Sequence, residues 1–179
     1  MLEGKNVNLR IIEKEDLPLF AEWMNVPEFY GEYDPLRQMS RREAEKMLET
    51  PVELKPFMIE KKDGSKVGFV AHYNELWGRQ MEIGYALVPS ERGKGYCSEA
   101  VKIMVDYLFL SRGDIVRIQA HTDVRNAASQ KVLEKIGFKK EGTIRKGYFA
   151  RGKWTDWFLY SILREEWKEP KILTSGSKK

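Results

Sequence analysis

The 179-residue chain has one cysteine, two histidines, and no internal repeat or low-complexity block. A lone thiol cannot close an internal disulfide, so the expected compartment is the reducing cytoplasm. Long apolar runs are also missing. Even the most apolar stretch, Ala100 to Leu110, is broken by Lys102 and Asp106, so neither a membrane span nor a membrane partner is expected. No charged-then-apolar leader is recognisable at the start. The net charge of +4 is too small a surplus for a dedicated nucleic-acid binder, and specific nucleic-acid binding is not expected. No metal site is expected. No Ser/His/Asp or Cys/His arrangement points to a covalent enzyme intermediate. What remains is 42% apolar and 32% charged, the balance of one globular domain. We assign that domain to residues 1–168 and expect a flexible tail over 169–179.

The most informative segment is Pro89-Ser-Glu-Arg92-Gly93-Lys94-Gly95-Tyr96-Cys97-Ser98-Glu-Ala100. The alternating run Met81 to Val88 before it reads as a strand. After it, Ala100, Val101, Met104 and Leu108 recur at helical spacing. Glycines at such a junction let backbone approach a ligand, and the first helical turn offers unpaired N–H groups and a positive dipole end. The combination suits a pyrophosphate. It is not a Walker A loop, because no Gly-Lys is followed by Ser or Thr, and Ser98 replaces the third glycine of a dinucleotide fingerprint.

Other elements follow from the same patterns. Strands are expected at Asn6–Ile12, Phe57–Lys61, Lys66–Glu75, Val116–Thr122, Phe138–Phe149 and Trp154–Leu163. Helices are expected at Asp16–Asn25, from the capping-box spacing Ser40-x-x-Glu43 to about Thr50 and Pro51, and from Asn126. The order is β-α-α-β-β-β-α-β-α-β-β, an α+β arrangement.

Arg92-x-x-Gly95-x-Cys97, with its preceding strand and Pro turn, resembles the acyl-CoA signature of the GCN5-related N-acetyltransferase (GNAT) family. Asn126-Ala-Ala-Ser129, then Gly137-Phe138 and Glu141-Gly142, resembles the branch of ribosomal-protein N-terminal acetyltransferases of RimJ/RimL type. The resemblance covers almost the whole chain. It implies a central mixed, mostly antiparallel sheet with helices on both faces. A parallel strand pair in it would splay beyond a bulge to admit the arm of acetyl-CoA.

Under this resemblance acetyl-CoA is held by the main-chain amides of Arg92, Gly93, Lys94, Gly95, Tyr96 and Cys97, with charge from the Arg92 and Lys94 side chains. Main-chain groups of Leu87 and Val88 would pair with the pantetheine, and one of their N–H groups would polarise the thioester. Asn126 is expected both to cap its helix and to contact the cofactor. Ser129 is either a plain first-turn residue or, as the branch pattern implies, the acid near the sulfur. Cys97 is expected to be a small buried residue rather than a nucleophile. Two rivals remain for the base: Glu82, a base through water or a paired surface carboxylate, and His121, five residues before Asn126. An imidazole titrates near neutrality, which suits amine deprotonation, although a lone strand histidine is often structural.

Two positions depart from the family pattern. Leu133 stands where many members carry a tyrosine acid, and Tyr148 where the RimL pattern has a glutamate base. Tyr148 is expected to line the acceptor channel instead. Trp23, Phe29, Tyr30 and Tyr33, with Glu28, Glu32 and Asp34, give the early helices an aromatic and acidic character. Trp154 and Trp157 read as packing residues, and His72 as structural. The acceptor implied is a primary amine, foremost a protein N-terminus. The alternatives are a small amine such as a polyamine, or a non-catalytic acyl-CoA sensor. Edge strands would permit a homodimer.

Overall fold

The computed structural model describes residues 1–49, 54–74, 79–168 and 170. Thr50, Pro51, Glu75 and nearly all of the expected tail lie outside these residues. Eight strands are described: β1 (Leu2–Glu3), β2 (Val7–Ile11), β3 (Lys55–Lys61), β4 (Lys66–Asn74), β5 (Gln80–Leu87), β6 (Arg117–Asp123), β7 (Lys139–Ala150) and β8 (Lys153–Leu163). Five helices accompany them: α1 (Leu17–Asn25), α2 (Pro27–Tyr30), α3 (Arg41–Glu49), α4 (Tyr96–Ser111) and α5 (Ala127–Ile136). None is long and apolar enough to cross a membrane. β1 and α2 were not expected. The first is only two residues long; the second begins with Pro27 at its first position, a legible start signal.

The strands form one sheet in the order β1-β2-β3-β4-β5-β6-β8-β7, antiparallel except for the β5–β6 pair. Period-two alternation sends neighbouring side chains to opposite faces. Val70, Ile83 and Leu87 join Ala100, Met104, Leu108 and Leu133 in the core under α4 and α5. Phe69 and Ala86 pack with Phe20, Met24, Phe29 and Ala44 under α1, α2 and α3. Helices therefore cover both faces. Local chemistry sets the element ends. The Ser40 N–H donates to Glu43 Oε2 (2.7 Å) and the Glu43 N–H to Ser40 Oγ (3.2 Å), the reciprocal box that starts α3. Arg151 and Gly152 take φ of 50° and 79°, the left-handed pair that a two-residue β7–β8 turn requires. Buried Asp16 ties three elements, accepting from Arg10 on β2 (2.8 and 2.9 Å) and from Lys66 on β4 (2.6 Å).

The feature that positions the site is the parting of β5 and β6. They pair only over Gln80↔Arg117, Met81↔Ile118 and Glu82↔Gln119, although β5 runs on to Leu87 and β6 to Asp123. Beyond Glu82 the strands diverge because each follows its other neighbour. β5 keeps unbroken register with β4 from Met81 to Leu87, and β6 keeps it with β8 up to Asp123↔Trp157. The expected bulge does not interrupt β5. Register shifts occur instead between β3 and β4, at Ile59/Glu60, and between β7 and β8.

Candidate active site

Residues 93–98 form a loop and first helical turn rich in free amides. Gly93 and Gly95 have φ of 77° and 87°, and a Cβ built on either would meet nothing within 4 Å. Gly95 is the N-cap of the 16-residue α4, with no side-chain cap. No hydrogen bond from the N–H groups of Gly93 to Ser98 to any described residue exists. A concave row of unpaired donors at a helix N-terminus is the arrangement that holds phosphate oxygens, so this chain's residues fit the diphosphate of coenzyme A. The Arg92 and Lys94 side chains are engaged elsewhere. Arg92 donates to the carbonyls of Leu87 (3.2 Å), Glu28 (2.9 Å) and Phe29 (2.6 Å), bracing the loop against α2. Lys94 donates to Glu91 (3.1 Å).

Strand parity separates Leu87 from Val88. The Val88 N–H donates to Val67 O (2.9 Å) and its carbonyl accepts from Glu91 (3.0 Å), so both main-chain groups are used within the protein. Alternation then turns the N–H and C=O of Ile83 and Tyr85, and the N–H of Leu87, whose carbonyl accepts from Arg92, away from β4, toward the gap that β6 has left. Groups so turned are open to sheet-like pairing with an extended arm, whereas the Val88 N–H and C=O are both spent within the protein.

On the α4–α5 face, Asn126 caps α5 by accepting from the Ser129 N–H (3.1 Å). Ser129 Oγ lies 2.9 Å from the Tyr85 hydroxyl. Burial pushes the Tyr85 phenol far above its ordinary range, so it stays protonated and able to donate. Strand alternation puts Tyr85 on the same face as Ile83 and Leu87, and α5 lying over that face brings it to Ser129. Burial also raises the Cys97 thiol to about 12, which leaves it an unreactive thiol. Leu133 is fully buried in the core.

On the opposite face Glu82 and His121, rivals in the sequence, form one unit. His121 Nδ1 lies 2.8 Å from Glu82 Oε1; Gln119 donates to Glu82 Oε2 (3.2 Å), and Tyr73 donates to Oε1. A carboxylate only accepts, so Nδ1 carries the hydrogen, and in a neutral ring Nε2 is the nitrogen with the lone pair. Glu82 is 6% exposed, so it is not a paired surface carboxylate.

A cavity of about 880 Å³ runs through the gap between β5 and β6. Tyr85, Cys97, Asn126 and Ser129 line its α4–α5 side, and Tyr73, Glu82 and His121 the other. It continues between the early helices and the last hairpin, where Tyr30, Tyr33, Asp34, Arg37, Tyr148 and Trp157 line it. Trp157, read in sequence as packing, stands between His121 (5.6 Å between ring centroids) and Tyr148 (4.2 Å). Arg37 had no sequence signal. Trp23 is core, stacked on Phe29, and Trp154 is 60% exposed on the hairpin. His72 is half-buried beside Phe57 and Tyr107, with both ring nitrogens shielded from water.

Residues 6–139 match the family model of an acetyltransferase (GNAT) domain. The probable N-acetyltransferase YjcK of Bacillus subtilis (strain 168) is 32% identical over 179 residues, 93% of this chain and 98% of that protein. The ribosomal-protein-S5-alanine acetyltransferase of Vibrio fischeri superposes with a TM-score of 0.78 at 25% identity, over 93% of this chain and 98% of that one. The spermidine N-acetyltransferase of Vibrio cholerae, solved with coenzyme A and spermine, shares the fold with a TM-score of 0.80 at 21% identity, over 92% and 99%. With the family model spanning most of its length, this chain belongs to the GNAT family of acetyl-CoA-dependent N-acetyltransferases.

Proposed function

We propose that the protein transfers the acetyl group of acetyl-CoA directly to the α-amine of a protein or peptide N-terminus. The observation that carries this reading is the Glu82–His121 pair, set at the gap between β5 and β6 within the cavity that Gly93 and Cys97 of the amide-rich turn also line. When bound, acetyl-CoA supplies an activated acetyl thioester. The amides of Gly93 to Ser98 bind its diphosphate, and the gap-facing groups of Ile83, Tyr85 and Leu87 align its arm. The Leu87 N–H is the donor available to a carbonyl oxygen in the gap.

The amine nitrogen forms the new bond to the acetyl carbon as the carbon–sulfur bond breaks. His121 Nε2 takes the amine proton, while Glu82 holds Nδ1–H and balances the charge that develops on the ring. Glu82 is thus a positioning residue and His121 the catalytic base. The Ser129–Tyr85 hydroxyl pair, on the other side of the gap, holds the proton for the departing sulfur. An α-amine, titrating at about 7.7–8.0, matches an imidazole base better than lysine or polyamine amines near about 10. The polyamine reading draws on one feature: Asp34, Glu82 and Asp123 all line the cavity. Asp123, however, is already paired with Arg125 (2.8 Å). A non-catalytic sensor would need no base at all.

The test compares kcat/KM for a free N-terminal peptide lacking lysine, an N-blocked peptide with one lysine, and spermidine. The free N-terminus is expected to be acetylated fastest. Faster lysine or spermidine acetylation overturns the proposal.

A further inference from the structure

The acceptor end of the cavity holds a cation that the acetyl transfer does not use. Arg37 donates to the Tyr148 hydroxyl (3.4 Å), and its guanidinium lies 4.9 Å from the centre of the Tyr30 ring. Asp34 is the acid within ion-pair distance among the described residues, and only at 4.0 Å. Burial pushes the Asp34 carboxyl toward its neutral form, with Arg37 opposing. Other arginines nearby are committed. Arg92 binds three carbonyls, Arg125 binds Asp123, and Arg151 binds the carbonyls of Pro27, Gly31 and Asp34. Arg37 therefore keeps most of its five N–H donors for a ligand.

A wall of rings connects it to the base, from His121 to Trp157 (5.6 Å) to Tyr148 (4.2 Å) and on to Arg37. The Trp157 indole N–H on this wall is buried with no acceptor among the described residues. At about 3.3–3.6 Å per residue, the wall is spanned by about four residues of extended chain. The β7–β8 hairpin that supplies Tyr148 and Trp157 carries six lysines and arginines against two acids, a cationic element facing the acids Asp34, Glu82 and Asp123 of the cavity lining.

We propose that the acceptor is a polypeptide with a carboxylate side chain among its first four residues, and that Arg37 reads that carboxylate while His121 receives the α-amine. The inference rests on the N-terminal reading above and narrows it to an acidic N-terminus. A polyamine would instead set an ammonium against Arg37.

The test measures kcat/KM on the full chain at saturating acetyl-CoA, for lysine-free acceptors and for peptide pairs differing only by Glu or Lys at position 2, 3 or 4. The wild-type protein is expected to favour Glu over Lys by roughly five- to tenfold at one or more positions. Arg37→Glu reverses the preference, and Arg37→Gln removes it while both peptides remain substrates. Calorimetry with coenzyme A verifies that each variant is folded, and Arg37→Gln decides the matter should the charge reversal not fold. Indifference to the charge at all three positions, a preference for Lys, or a Glu preference that survives Arg37→Gln overturns the proposal. Acetylation of spermidine but of no peptide N-terminus overturns the parent reading with it. Those two failures are distinguishable because peptides still react in the first.

Discussion

If Glu82 acts only through His121, its removal has a definite size and a definite dependence on background. Glu82→Gln keeps the side-chain shape and an oxygen for Nδ1–H, but removes the charge beside the ring. A hydrogen bond to a charged group contributes about 1.5–3 kcal/mol and a neutral one about 0.5–1.5, so the difference is about 1.5 kcal/mol. Two unit charges 4 Å apart at an effective dielectric of 20 set a ceiling of about 4 kcal/mol. The cleft stays below that ceiling, since 16% of the His121 side-chain surface is open to water. Glu82→Gln is therefore expected to lower kcat/KM roughly tenfold. His121→Ala, which removes the proposed base, is expected to lower it by roughly 10² to 10⁴. The double variant should be no slower than His121→Ala alone, because a positioning residue has nothing left to position. The assay follows release of the coenzyme A thiol, with calorimetry confirming unchanged cofactor affinity. A further tenfold loss from Glu82→Gln in the His121→Ala background would refute the reasoning and make Glu82 a direct partner of the amine.

Three further outcomes are expected. Gly95→Val forces a β-branched residue into φ +87°, at a cost of about 1–2 kcal/mol. Coenzyme A affinity measured by calorimetry should fall roughly tenfold, and unchanged affinity would remove the loop from cofactor binding. Ser129→Ala and Tyr85→Phe should each lower kcat with little change in the KM for the amine, and combine less than additively because the two hydroxyls form one pair. His72 is held down to about 4 by burial, with Lys55 and Arg112 adding repulsion, so the folded state keeps it neutral where the unfolded chain, at about 6.5, protonates it. The stability it contributes is complete above pH 6.5 and is lost as pH falls toward 4, about 3 kcal/mol in all. Urea melts of His72→Phe should show a flatter pH dependence across that window, and an unchanged slope would contradict the assignment.

The parts of the site that lie on one element were legible in the sequence. Gly93 and Gly95 announced the turn with free amides, Asn126 its helix cap, and the Ser40–Glu43 spacing the start of α3, because turn and cap chemistry is local. What depended on register between elements was not. Alternation fixes which face Glu82 and His121 occupy, but only the three-residue pairing of β5 with β6 brings them to 2.8 Å. Strand periodicity also cannot say which edge of β5 faces β4. That one-residue parity makes Leu87 available and spends Val88. Arg37 sits in a segment without periodicity and gains meaning only from the hairpin folded over it.

In the proposed mechanism, free amides at the glycine turn and at the gap edge of β5 close on coenzyme A. Residue-resolved amide hydrogen exchange, with and without saturating coenzyme A, measures this directly. Gly93 to Ser98 and Leu87 are expected to exchange rapidly alone and to become protected in the complex, whereas Val88, bonded to Val67, is protected in both. Unprotected amides at 93–98 in the saturated complex, with protection gained elsewhere, would contradict the account.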